Sequence, residues 1–243
     1  MRKFVNPMVT VIMPIRNERE YIRKNLLSIL DQNYSLNNLQ IIIADGMSND
    51  GTIEIISNLQ KEHNNIELID NPDRIVSTGF NRALNLAKGE IIIRIDGHAK
   101  IAKNYINQCI KCLNNTGASC VGGSIENHAD GLIGTVINVA QSSTFGVGNA
   151  TFRKKKLIGK YVDTLAFGAY RREVFKDNGG YDQELVRNQD DEFNFRLIQN
   201  GGKIWIDPSI KSIYYPRSSI LKLFKQYFQY GFYKIRVFQK RKG

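Results

Sequence analysis

Asp96, Gly97 and His98 follow directly on the apolar run EIIIRI (90–95). A carboxylate and an imidazole one residue apart, at the mouth of a buried strand, can reach a single point outside the sheet edge. Together they are good ligands for a divalent cation, and the imidazole shifts the preference from Mg2+ toward the softer Mn2+. By itself, His98 reads more simply as a satisfied surface histidine. Asp96 and the clusters around it turn the balance toward a ligand. Two protein ligands leave a metal short of oxygens, and phosphates supply them.

Two further clusters have the same character. VTVIM (9–13) runs into Pro14, Arg16, Asn17 and Glu18, and LQIIIA (39–44) runs into DGMSNDGT with Asp45, Ser48, Asp50 and Thr52. Asp, Ser and Asn are favoured helix N-caps, and capping accounts for Asp50 as well as binding does. Capping needs only one residue per helix, so three clusters ask for more. A fourth group, Gln189-Asp190-Asp191-Glu192, opens a short helix. Acids in a first helical turn also complement the helix dipole, which explains Asp191 and Glu192 without chemistry.

The elements that position these residues alternate. Strand-like runs at 9–13, 39–44, 66–69, 90–95 and 118–123 are separated by helical stretches at about 18–31, 51–62, 76–88 and 102–114. That order predicts an α/β fold, a mostly parallel central sheet flanked by helices. Near-continuous β-branched strands imply burial on both faces. In such sheets ligands collect at the carboxyl ends of the strands, where the first three clusters fall. No G-x-G-x-x-G follows the first strand, so a dinucleotide-binding dehydrogenase is excluded.

The formal net charge of +11 over 243 residues is unevenly spread. From Lys203 to Gly243 ten Lys or Arg face one acid, Asp207; the remainder carries 24 basic and 22 acidic residues. A nearly neutral body with a basic tail argues against a nucleic-acid groove. The tail also holds Phe224, Tyr227, Phe228, Tyr230, Phe232, Tyr233 and Phe238, a composition suited to a membrane surface or to packing on the body. No run approaches the roughly 18 apolar residues of a membrane span. The opening residues read as a first strand, not an export signal. Cys109, Cys112 and Cys120 lack the spacing of a disulfide scaffold or a zinc site.

VTVIMPIRNE, IIIADGMSNDGT and LNLAKGEIIIRIDGH together resemble the opening half of glycosyltransferase family 2, inverting enzymes of the GT-A fold that use nucleotide sugars and a divalent metal. The resemblance implies a nucleotide-sugar site at Pro14, Arg16, Asn17, Glu18, Asp45, Asp50, Arg74, Asn81 and Asp96. It implies a metal, Mn2+ before Mg2+, on Asp96 and His98, with His98 where an acid is more usual. It also implies catalytic carboxylates at Asp190 and Asp191, Asp190 being the base and Gln189 replacing a more usual Glu. IKSIYYPR carries tyrosine where many relatives have a further metal-side histidine. FGVGNATFRKKK and YYPRSSILKLFKQYFQYG resemble bacterial exopolysaccharide glucosyltransferases of the succinoglycan type.

The same resemblance implies a hexosyltransferase using a UDP-sugar, UDP-glucose first, on a lipid-linked saccharide acceptor, with no nucleic acid involved. The expected location is cytoplasmic, peripheral to the inner face of the plasma membrane. The expected organisation is a GT-A domain over 1–215, with a nucleotide-binding half (1–123) and an acceptor half (124–215). A C-terminal basic aromatic helix would occupy 216–243. Relatives often continue into a hydrophobic segment, so the chain reads either as a shortened form or as a peripheral enzyme. The alternative function is a nucleotide-sugar-binding relative with weak or no turnover. Arg153 to Lys156 form a basic run that suits either a solvated loop or the phosphates of a lipid diphosphate acceptor.

Overall fold

The runs VTVIMPI, LQIIIAD and IIIR have no polar side, and the chain buries both faces of each. In the computed structural model, which describes residues 3–128, 158–216 and 220–241, the first half is β1 (Val9–Ile15), α1 (Ile22–Leu30), β2 (Leu39–Asp45), α2 (Thr52–Gln60), β3 (Ile66–Asp70), α3 (Val76–Leu86), β4 (Ile91–Arg94), β5 (Ala99–Ile101), α4 (Tyr105–Thr116) and β6 (Cys120–Asn127). There follow β7 (Lys160–Val162), β8 (Ala169–Arg171), α5 (Glu173–Asn178), α6 (Gln189–Gln199), β9 (Ile204–Tyr214) and α7 (Ile220–Arg241).

Among the described residues the strands form one sheet in the order β3-β2-β1-β4-β8-β6-β9-β5, with β7 paired to β9. The strands β3, β2, β1 and β4 are parallel. Antiparallel β8 then enters between β4 and β6, and β6 pairs parallel with β9. The register of β6 on β9 shifts between Gly123 and Ser124. Gly123 is required there, because a Cβ would collide with the carbonyl of Ile210; the bulge bends the strand.

Strand parity sorts the core into two layers. Val9, Val11, Met13, Leu39, Ile41, Ile43, Ile91 and Ile93 face Ile22, Leu26 and Ile29 of α1, Ile56 of α2 and Ile106 and Cys109 of α4. Ile12, Ile42, Ala44 and Ile92 face Phe80 of α3, Phe175 of α5 and Phe193 of α6. The helices are amphipathic at the matching period; in α1 the buried positions are Ile22, Asn25, Leu26 and Ile29. Arg94 has the parity of Ile92, so a charged residue enters the α3/α6 layer. A buried charge must find partners there.

Candidate active site

The loops that leave β1 and β2 are tied to each other before any ligand is considered. Asp45 is buried, and its carboxylate accepts hydrogen bonds from the Ser48 amide (2.7 Å) and hydroxyl (2.5 Å). The same hydroxyl oxygen accepts from the Asn17 amide at 2.8 Å, and Asn17 Oδ1 accepts from the Asn49 amide at 3.0 Å. Asn17 has φ 55, a left-handed conformation that asparagine tolerates. Pro14 is buried in register with Ala44, while Arg16 and Arg74 stand exposed at this edge.

Asp50 is engaged at the start of α2, just before the N-cap residue Gly51. Its carboxylate accepts from the Thr52 amide (3.0 Å) and hydroxyl (2.5 Å) and from the Arg19 amide (3.1 Å). Burial would raise its pKa, but the bonds from Thr52 and Arg19 outweigh that and hold the carboxyl below its ordinary value. Asn81 is also engaged by the chain itself: its amide nitrogen donates to the Tyr181 carbonyl and its oxygen accepts from the Tyr181 amide, both at 2.8 Å. It ties α3 to the loop before α6.

Just beyond β4, Asp96 is held by Arg94 two residues before it, and His98 by Glu18 far away in the sequence. Arg94 Nη2 donates to Asp96 Oδ1 at 2.8 Å. His98 Nδ1 lies 2.8 Å from Glu18 Oε1. An Nδ1–H donated to that carboxylate leaves the ring's lone pair on Nε2, the arrangement in which a carboxylate orients a metal-binding histidine. Glu18, expected at the nucleotide site, reaches across to His98 through Oε1. Gly97 makes room for it, since a Cβ would stand 2.6 Å from Glu18 Cγ and 3.0 Å from Ile15 Cγ2. The Tyr214 and His98 rings meet edge to face, with centroids 4.7 Å apart. The adjoining Tyr215 amide donates to the His98 carbonyl at 3.0 Å.

Asp96 and His98 could supply part of a ligand set for a divalent cation. Asp96 Oδ2 and His98 Nε2 make no protein hydrogen bond among the described residues, and no group of three or more His, Cys, Asp or Glu residues suited to a metal occurs there. Two protein ligands, one oxygen and one nitrogen, leave the remaining positions to phosphate or water. The cysteines offer no alternative site: all three are buried and free. Burial, and then Asp207, push the Cys112 thiol up to about 12.

The acids of α6 divide their work. Asp190 Oδ2 accepts from Arg94 Nη1 at 3.3 Å, and its Oδ1 accepts from the Asp191 amide at 3.0 Å. Asp191 is instead gripped by Lys234 of α7 at 2.5 Å. Glu192 forms a two-pronged pair with Arg196, 2.8 Å on each prong. Asp190 is joined to the rim of β4 through the guanidinium that also holds Asp96. Arg153 to Lys156 lie outside the described residues.

A sequence profile for Glycosyl transferase family 2 matches residues 10–179. Succinoglycan biosynthesis protein ExoA of Rhizobium meliloti (strain 1021) is 32% identical over 235 residues, spanning 96% of this chain and 71% of that protein. The dolichyl N-acetyl-alpha-D-glucosaminyl phosphate 3-beta-D-2,3-diacetamido-2,3-dideoxy-beta-D-glucuronosyltransferase of Methanococcus voltae is 31% identical over 231 residues, 92% of this chain and 71% of that one. Among solved structures, Staphylococcus aureus TarS 1–349 with UDP superposes with a TM-score of 0.67 at 18% identity, over 86% of this chain and 60% of its own. Mannosyltransferase PcManGT from Pyrobaculum calidifontis, with GDP-Man and Mn2+, gives 0.65 at 21%, over 85% of this chain and 56% of its own. The chain therefore spans less than two thirds of these solved chains, and at such identities they bear on the fold alone. The profile match and the two relatives settle the family: the chain belongs to glycosyl transferase family 2 and has the GT-A fold.

Proposed function

We propose that the chain is a metal-dependent inverting hexosyltransferase. In this reading it moves glucose from UDP-glucose onto a lipid-linked saccharide during extracellular or capsular polysaccharide synthesis. The observation that carries the reading is the attachment of Asp96 and Asp190 to one guanidinium, which gathers a donor-side carboxylate and a candidate base at one edge. The likeness to ExoA, a succinoglycan biosynthesis protein, supports the polysaccharide context. The complexes of TarS with UDP-GlcNAc and of PcManGT with GDP-Man support a nucleotide-sugar donor.

Asp190 takes the proton from an acceptor hydroxyl, whose oxygen then bonds the sugar's anomeric carbon as the bond to the nucleoside diphosphate breaks. A positioned base contributes about 10²–10⁴-fold to such a step. Asp96 Oδ2 and His98 Nε2 would hold the divalent cation, Mn2+ before Mg2+, with Glu18 fixing the imidazole's orientation. When bound, that cation offsets the charge gathering on the departing diphosphate. Asp45, Asn17 and the exposed Arg16 and Arg74 frame the nucleoside end. Asp191, tied to Lys234, supports α6 rather than sharing the proton.

The catalytic unit covers 1–215 and α7 serves as a peripheral contact with the inner face of the plasma membrane. Among the described residues no helix is long and apolar enough to cross a membrane. Support for a peripheral contact comes from the two sides of α7. Val237 is buried, Lys234 and Lys240 pair with Asp191 and Asp182, and Arg187 bonds Gln229 at 3.1 Å. Phe224, Phe228, Phe232, Ile235 and Phe238 are exposed at spacings that place them on one stripe. Such an exposed aromatic stripe suits a bilayer surface.

The test is a panel of nucleotide sugars with Mn2+, reading protection against thermal unfolding and transfer to a lipid-linked saccharide. UDP-sugars alone should protect, and UDP-glucose should transfer. Failure of every UDP-sugar to protect would contradict the donor assignment. Gln189 Oε1, buried without a partner, gives the second reading a specific footing. Protection with no transfer would identify a nucleotide-sugar-binding relative.

A further inference from the structure

Arg94 belongs to neither the expected donor site nor the base, yet it touches both. Parity sends its side chain into the aromatic layer, where it is 8% exposed. Its charge centre lies 5.9 Å from the Tyr181 ring centroid. Nη2 donates to Asp96 Oδ1 at 2.8 Å and Nη1 to Asp190 Oδ2 at 3.3 Å, while Nε is buried without a partner. A packing role alone would be filled better by an apolar side chain, since a buried ion gains nothing over one unless its partners need it.

We propose that Arg94 is a positioning residue that couples the metal-holding carboxylate to the catalytic base. The inference rests on the glycosyltransferase reading above. One guanidinium serves two carboxylates, so whatever engages Asp96 changes what Arg94 gives to Asp190. Asp96 Oδ1 receives Nη2 while Oδ2 would face the cation, so a cation there would draw on the same carboxylate charge, loosen the Nη2 bond and leave the guanidinium to hold Asp190 in place for the acceptor. Loading of the donor side thereby sets the base. The coupling is reciprocal, as linkage requires. Removing the guanidinium should tighten metal binding while it disorders the base, and neutralising Asp190 should turn Arg94 wholly onto Asp96 and weaken the metal. Loss of a merely structural arginine would weaken binding and turnover together.

The experiment titrates Mn2+ calorimetrically into the full chain with UDP present, alongside steady-state transfer. It compares wild type, Arg94→Met, Arg94→Lys, Asp190→Asn and the Arg94→Met/Asp190→Asn pair. Arg94→Met should bind Mn2+ about fivefold tighter or more, with kcat down more than about tenfold and donor KM no higher. Arg94→Lys should return Mn2+ affinity to near wild type yet leave kcat low, because an ammonium cannot span two carboxylates as a planar fork does. Asp190→Asn should weaken Mn2+ by about fivefold when Arg94 is present and leave it unshifted in the Arg94→Met background. Unchanged Mn2+ affinity in Arg94→Met would overturn the proposal. So would a joint fall of affinity and melting temperature, or an Asp190→Asn shift that survives without Arg94. Should Arg94→Met fail to fold, Asp190→Asn with Arg94→Lys decides: a wild-type Mn2+ affinity in Asp190→Asn overturns the coupling. Absence of Mn2+ and UDP binding by the wild type overturns the donor-site reading and this coupling with it, whereas binding without the shifts overturns the coupling alone.

Discussion

The donor rim and the base helix are held in different ways. At the rim, Asp45, Ser48, Asn17, Asp50 and Thr52 lock two loops through short side-chain bonds, several of them to backbone amides. In α6 the three consecutive acids each pair with a cation: Asp190 with Arg94 of β4, Asp191 with Lys234 of α7, and Glu192 with Arg196 one turn further along α6. Bonds to backbone amides fix a shape before the ligand arrives, whereas ion pairs can be exchanged when a new charge enters. The difference teaches where to look for turnover rather than binding. Substitutions at the rim should cost affinity, and substitutions in α6 should cost rate.

The sharpest break of that contrast is Asp190→Asn. Transfer should fall by about 10²–10⁴-fold while UDP binds nearly as before and Mn2+ weakens only by the roughly fivefold expected from the coupling; retained transfer would remove Asp190 as the base. Next in size is Phe193→Ala, which empties the centre of the aromatic cluster beneath α6. Phe193 is fully buried and stacks on Phe175 at 5.1 Å, so its loss should cost about 3–5 kcal/mol by chemical denaturation. A change below about 1 kcal/mol would mean that α6 does not depend on that layer.

On the rim, Glu18→Gln should weaken Mn2+ binding by about 10–100-fold with little change in melting temperature. An unaltered metal affinity would show that the imidazole needs no orienting partner. Lys234→Ala tests the exchangeable side with a small effect: the pair is partly exposed, screening discounts it, and stability should drop by about 1 kcal/mol or less. Smallest is the acid-side slope contributed by Asp50. Its folded pKa is depressed, so the stabilisation is present above the ordinary carboxylate pKa and is lost as pH falls through the folded value. Asp50→Asn should flatten the loss of stability in that acid window, and an identical slope would mean that the bonds to Thr52 and Arg19 persist in the unfolded chain.

The parallel half of the fold is legible in the sequence because buried parallel strands write themselves as apolar runs; LQIIIAD and IIIR could hardly be anything else. Residues 99–101, 160–162 and 169–171 carry no such signal. Each is a three-residue strand defined by the partner it meets. The rim residues Asp96 and His98 are visible as chemistry following a strand. Glu18 is visible too, but its partner lies 80 residues away, and local spacing cannot announce a contact of that range. Asn81 has a polar type suited to binding, yet its amide closes a backbone contact with Tyr181. Arg94 gives the one signal that parity could have exploited: a charge at an inward position of a buried strand demands partners, and here the partners are Asp96 and Asp190.

The mechanism stands or falls on whether Asp96 and His98 hold a divalent cation at the rim of β4. A crystal of the full chain with Mn2+ and UDP, read by anomalous scattering at the manganese edge, tests it directly. The expected result is one manganese peak bonded to Asp96 and to His98 Nε2 at roughly 2.0–2.2 Å, with the diphosphate completing the shell. A nucleotide bound at this edge without manganese on those two atoms, or with the peak elsewhere, would contradict it.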